Sequence, residues 1–280
     1  MNTAKRSDLI QNLKETALNI KREIVKLATH AHEGHCAPAL SMADIITVLY
    51  FYRMRNDPGN PEWSDRDRFI LSKGHGCLAL YCALHYRGYF DRETLYTFLQ
   101  PNSGLGGHPV HGSTPGIELS TGSLGHGLAM SVGLALAAKR DKKTFRVFTL
   151  IGDGENNEGM VWESAMCAAH YKLDNLICFV DRNNFQCDGF AKDVLDIDPL
   201  DEKWRSFGWA VKTCDGHSIE DLVNTVDEIP FAKGKPSLVL ARTVKGKGVS
   251  FMENSADWHY RAPAESELQQ VLAEIEANSR

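Results

Sequence analysis

Apolar residues recur at helical spacing over residues 8–30, where Leu9, Ile10, Leu13, Leu18, Ile20, Ile24 and Leu27 predict a long amphipathic helix. A second helix is predicted over 41–54. The pattern then changes to short runs that are apolar throughout: RFILS (68–72), FRVFTLI (145–151), NLICFV (175–180), WAVKT (209–213) and SLVLA (237–241). Helical stretches at 78–86, 127–139, 161–171 and 218–228 separate most of these runs. Strands without a polar face, alternating with helices, predict an α/β fold with a parallel sheet covered on both sides. A chain of 280 residues suffices for one large domain of this kind or two small ones, and no repeat or low-complexity linker divides it.

Ligands of parallel α/β sheets bind beyond the carboxyl ends of the strands. Three of the predicted strands end in conspicuous polar groups. The first runs into Lys73-Gly74-His75-Gly76, the second into Gly152-Asp153-Gly154, and the third into Asp181-Arg182-Asn183-Asn184. If these strands are neighbours, the clusters share one rim. Residues 100–127 form a long segment rich in Gly, Pro, Ser and His, and loops of that length are usually functional.

Asp153 is costly at a buried strand end unless a positive charge meets it. One carboxylate, from Asp153, and one amide, from Asn183, on successive strand ends offer the hard oxygens that magnesium takes at about 2.0–2.1 Å. The flanking glycines allow close approach of backbone to phosphate, and the helix that follows points its positive end at the anion. Each half of the pattern alone also reads as a turn; the combination at this spacing favours a magnesium–diphosphate site.

Composition narrows the classes. A net charge of −5 gives no reason to expect nucleic acid or an anionic membrane. The apolar segment 128–138 is too short to span a bilayer, and the N-terminus lacks the apolar core of a signal peptide. Seven scattered cysteines without a C-x-x-C pair suggest reduced thiols in a cytoplasm.

The Gly-Asp-Gly…Asn-Asn pattern resembles the thiamine diphosphate signature. The stretches GHCAPALSMADIITVLY, DRFILSKGHG, GGHP, STGSLGHGL, IGDGENNEG, KWRSFGW, DGH and VKGKGVSFMENSADWH resemble the N-terminal, diphosphate-binding half of transketolase, most closely the split transketolases of bacteria. The resemblance covers nearly all of residues 1–280 and implies a single diphosphate-binding domain. It implies Asp153, Asn183 and the backbone carbonyl of Phe185 as ligands of magnesium, or of calcium or manganese in its place. It implies thiamine diphosphate contacts from His75, Ser123, Leu124, Gly152, Asp153, Gly154, Glu155 and Asn183, and a loop at Lys245–Gly248 that covers the diphosphate. It gives His35, His75, His108 and His259 places beside the cofactor and sugar, where imidazoles can move protons near working pH. Glu158 and Glu163 align with acids near the subunit interface that are proposed to couple paired sites; acids at a helix start also simply favour its dipole.

The implied activity is transfer of a two-carbon unit from a ketose phosphate to an aldose phosphate. The pyrimidine-binding and C-terminal domains are then expected on a partner subunit, in an α2β2 assembly that this chain needs for activity. A specialised sugar substrate, a deoxyxylulose-phosphate synthase or 2-oxo acid dehydrogenase-type subunit, and a non-catalytic cofactor-binding chain are the competing readings. The sequence departs from the family in GHCAPALS, at His111 and at His126, where sugar contacts are expected. His30, His32 and His35 are clustered, but His32-Glu33-Gly34-His35 is one residue short of the zinc spacing H-E-x-x-H. Lys245-Gly-Lys-Gly248 reads as a mobile loop rather than a nucleic-acid patch.

Overall fold

Five parallel strands form one sheet: β1 (Arg68–Leu71), β2 (Val147–Gly152), β3 (Leu176–Arg182), β4 (Ala210–Asp215) and β5 (Ser237–Arg242), in the order β1-β2-β3-β5-β4. The structure, a computed structural model, describes residues 3–278. Its helices are α1 (Thr3–Ala31), α2 (Cys36–Val48), α3 (Cys77–Arg87), the single-turn α4 (Arg92–Leu95), α5 (His126–Arg140), α6 (Gly159–His170), the single-turn α7 (Ala191–Val194), α8 (Leu200–Ser206), α9 (Ile219–Asp227) and α10 (Glu265–Ala277).

Alternate strand residues point to opposite faces, so a strand apolar at every position feeds two cores. Phe148, Leu150, Ile177 and Phe179 pack with α1, α2, α3, α9 and α10. Val147, Ile151, Leu176, Cys178 and Val180 pack with α5, α6 and α8. Among the described residues no helix is long and apolar enough to cross a membrane.

Two departures from the sequence expectation matter for the site. β3 continues through Asp181 and Arg182, because both stay in register with Ala241 and Arg242 of β5. Those residues therefore belong to the sheet, not to the loop after it. Helix α2 starts at Cys36, well ahead of residue 41, and all thirteen of its residues are buried. With no polar face it carries no periodicity to reveal its start, and Pro38 is tolerated in its first turn, where no intrahelical donor is required. Its end widens into a π-helical turn, Leu49–Arg53, which shortens the expected helix.

Candidate active site

β1, β2 and β3 are adjacent, so their three polar ends meet at one rim. A cavity of ≈ 380 Å³ opens there, lined by His35, Lys73, His75, His108, Leu124, Gly152, Asp153, Gly154, Glu155, Glu158, Asn183, Phe185, Lys245 and His259, among others. Two glycines make the rim tight: a Cβ on Gly74 would lie 2.8 Å from Thr121 Oγ1, and one on Gly127 would lie 2.6 Å from the Ser72 backbone. The 100–127 segment can lie against the strand ends only because these side chains are missing.

Asp153 is 1% exposed. Its Oδ2 accepts from the Asn184 backbone N–H, while Oδ1 is buried and accepts no hydrogen bond. Burial pushes the carboxyl up to about 7, an effect the Arg182 guanidinium opposes and Asp181 reinforces. Asn183 donates Nδ2 to Asp181 at 3.2 Å and accepts the Phe185 N–H on Oδ1 at 2.9 Å, so its amide has a fixed orientation. A carboxylate whose Oδ1 accepts no hydrogen bond, 3.2 Å from Arg182 Nη1, and an amide oxygen, both on residues lining the cavity, are hard-oxygen donors that fit a magnesium-like cation.

Asp181 and Lys73, both at the predicted polar strand ends, form a pair that the sequence does not show. Lys73 is 1% exposed; its Nζ lies 2.5 Å from Asp181 Oδ2 and 3.1 Å from the Pro38 carbonyl oxygen. Asp181 also accepts from Ser41 Oγ at 2.5 Å and from Thr243 Oγ1. Although burial raises its carboxyl, Lys73 and these donors hold it below its ordinary value. Glu155 is likewise a brace: Oε1 accepts from Ser72 Oγ and at 2.8 Å from the Gly125 N–H, and Oε2 accepts from the Gly152 N–H at 3.0 Å. That carboxylate joins β1, β2 and the start of α5.

The four singled-out histidines converge. His35 lies with ring centroids 5.3 Å from His75, 6.1 Å from His108 and 5.3 Å from His259. Burial, then neighbouring imidazoles and lysines, lowers His35 to about 3; burial with Lys245 and Lys73 lowers His259 to about 4. Burial lowers His75 and His108 too. The cluster is neutral at physiological pH, suited to hydrogen bonding with hydroxyls rather than to carrying charge.

Lys245 is 2% exposed, packed over the Phe185 ring at 5.1 Å, with Nζ 3.2 Å from the Gln186 carbonyl oxygen. Burial lowers it to about 8, still substantially cationic at neutral pH. The Lys245–Gly248 segment is a packed strap rather than a free loop: Gly246 donates to the Ala37 carbonyl at 3.0 Å. His217, from the DGH motif, pins its start, accepting the Val244 N–H on Nε2 at 2.9 Å while Nδ1 meets Asp44 at 3.0 Å.

Ser123 is exposed and does not line the cavity, and Glu163 is exposed on α6 away from it. The sequence departures also fall mostly outside the cavity: Cys36 and Ala37 are fully buried in α2, and His111 and His126 are exposed off the lining; only Pro38 reaches it. His30 packs on Tyr96 at 5.1 Å, leaving His35 as the member of its cluster in the site.

Residues 14–278 match the family described as the transketolase thiamine diphosphate binding domain. The chain is 46% identical over 264 residues to an apulose-4-phosphate transketolase subunit of Actinobacillus succinogenes, covering 94% of this chain and 95% of that protein. It is 44% identical over 243 residues to a 6-deoxy-6-sulfo-D-fructose transketolase subunit from a Clostridium strain, covering 87% and 88%. Among solved structures, transketolase from Leishmania mexicana superposes with a TM-score of 0.89 at 28% identity, covering 96% of this chain and 42% of that one. The chain thus spans less than half of that transketolase.

Proposed function

This chain belongs to the transketolase family, and from that premise we propose that it is the cofactor-binding subunit of a two-subunit transketolase that moves a two-carbon ketol unit from a ketose phosphate to an aldose phosphate. The observation that carries the reading is the convergence, in one cavity, of the Asp153–Asn183 oxygens with four neutral histidines. When bound, thiamine diphosphate supplies the electron sink needed to break a carbon–carbon bond beside a ketose carbonyl.

The chain's own residues do the placing. Asp153, Asn183 and the Phe185 carbonyl would hold magnesium, or a calcium or manganese ion in its place, and Lys245 would add positive charge for the diphosphate. His35 and His108 would contact the sugar's two-carbon unit or acceptor, and His75 and His259 would lie by the diphosphate and the reacting carbon. Glu158 lines the cavity next to Asn157, at the N-cap of α6.

A second chain completes the site, in an α2β2 assembly. A second chain is supported by the Actinobacillus relative, which is matched along 95% of its length and is itself named as one subunit of a transketolase. A specialised sugar is favoured over the common pentose phosphates, because the relatives are named for apulose 4-phosphate and 6-deoxy-6-sulfo-D-fructose. The unpaired cysteines fit a cytoplasmic setting.

The test is a donor–acceptor assay of the chain, alone and mixed with its partner, with magnesium and thiamine diphosphate. Xylulose 5-phosphate, the two specialised sugars and pyruvate serve as donors. Turnover of a ketose only in the mixture is expected. Turnover by the chain alone contradicts the split site, and turnover of pyruvate alone moves the chain to the 2-oxo acid branch.

A further inference from the structure

Arg182, the last residue of β3, is shared between two carboxylates that hold it unequally. Its Nη2 is gripped by both oxygens of Asp198, at 2.9 and 2.8 Å. Its Nη1 lies 3.2 Å from Asp153 Oδ1 but makes no hydrogen bond to it, and both atoms are buried and otherwise unsatisfied. The Asp198 side chain is 58% exposed and that of Asp153 is 0% exposed. Asp153 lines the cofactor cavity, whereas Arg182 borders a second cavity with Asn184, Asp198 and Arg242.

We propose that Arg182 is a built-in competitor of the divalent cation: it neutralises Asp153 when the cation is absent and sets how tightly the cation binds. The proposal rests on the reading of Asp153 as a cation ligand. A bare buried carboxylate is expensive, so a resident guanidinium makes the cation-free fold tolerable. The same positive charge, 3.2 Å from a ligand oxygen, repels an incoming divalent ion in a region of low dielectric. Because Asp198 already holds the other nitrogen, the guanidinium can yield Asp153 without being left unpaired.

The test is Mn2+ titration of the 280-residue chain, alone and mixed with its partner, followed by loss of the free-ion EPR signal, with and without thiamine diphosphate and with a protein-free control. Arg182→Gln and Arg182→Met are expected to tighten Mn2+ binding, each by about tenfold. Asp198→Asn, which leaves the guanidinium to Asp153 alone, is expected to weaken it. Arg242→Gln, at the second cavity but outside the pair, is expected to leave it unchanged. Damage to the fold would weaken binding in every variant, so tightening on loss of Arg182 cannot come from that source. Folded Arg182 variants with unchanged or weaker binding overturn the proposal, as does equal tightening in Arg242→Gln. If the wild-type chain binds no Mn2+ even with its partner and thiamine diphosphate, the cation reading falls and this inference falls with it.

Discussion

Asp181 and Asp153 lie on neighbouring strands at the same rim, and neither is more than 1% exposed. Asp181 has Lys73 at 2.5 Å and hydrogen bonds from Ser41, Thr243 and Asn183. Asp153 has one backbone donor and a guanidinium in poor geometry, and one of its oxygens accepts nothing. Their carboxyls accordingly move in opposite directions, Asp181 down and Asp153 up to about 7. Burial alone therefore does not identify a ligand site. An acid whose partners are all internal is a strut, and one left short of partners and facing a cavity is a port for an external charge.

Replacing each acid should separate the two roles. On the proposed cation role of Asp153, Asp153→Ala is expected to lower ketol transfer by more than about a hundredfold, since losing a ligand would outweigh losing a supporting contact. Its cation-free Tm should change little, and the rise in Tm on adding magnesium should vanish. Asp181→Ala is expected to cost about 3–5 kcal/mol in urea unfolding, because it strands Lys73 in the interior. Replacing both Lys73 and Asp181 by apolar residues should cost less than the single change. Equal stability losses at Asp153 and Asp181 would erase the distinction.

Acid titration gives a smaller effect. His35 and His259 are lowered to about 3 and 4 in the folded chain, from an ordinary 6.5. Between pH 6.5 and 4 the unfolded chain therefore binds protons that the folded chain does not. Their contribution to stability is whole above 6.5 and is lost as the pH falls towards 4. Asp153 acts in the opposite sense, since its raised carboxyl favours the folded state at low pH and that benefit is lost as pH rises through about 7. His35→Asn should flatten the decline of Tm with acidification, and magnesium should flatten the opposing loss that Asp153 gives between pH 3.8 and about 7. The smallest effect is expected at Glu163, exposed on α6. Glu163→Gln should change the stability of the isolated chain by less than about 0.5 kcal/mol and act only on the kinetics of the assembled enzyme.

The strands and the Asp153–Asn183 pair are legible in the sequence because they rest on local signals, an apolar run followed by glycines and amides. The same is true of the histidines, each set in its own short motif. Asp181 is visible as a residue but not as a strut, since its partners Ser41, Lys73 and Thr243 are 140, 108 and 62 residues away. Sequence pattern places Arg182 in a loop, whereas the ladder to β5 extends β3 beyond its apolar run. The resemblance implies Glu155 as a cofactor contact; it lines the cavity, and what the sequence does not show is that its oxygens also accept from Ser72, Gly125 and Gly152. The start of α2 is hidden because a helix buried on every side has no polar stripe.

The most direct test of Asp153 as the cation port is calorimetric titration of thiamine diphosphate into the 280-residue chain mixed with its partner, in magnesium and in EDTA, with Asp153→Ala alongside. The account predicts saturable binding in magnesium that weakens more than about tenfold in EDTA and to the same extent in Asp153→Ala. Equal affinity in EDTA, or wild-type affinity in Asp153→Ala, would contradict it.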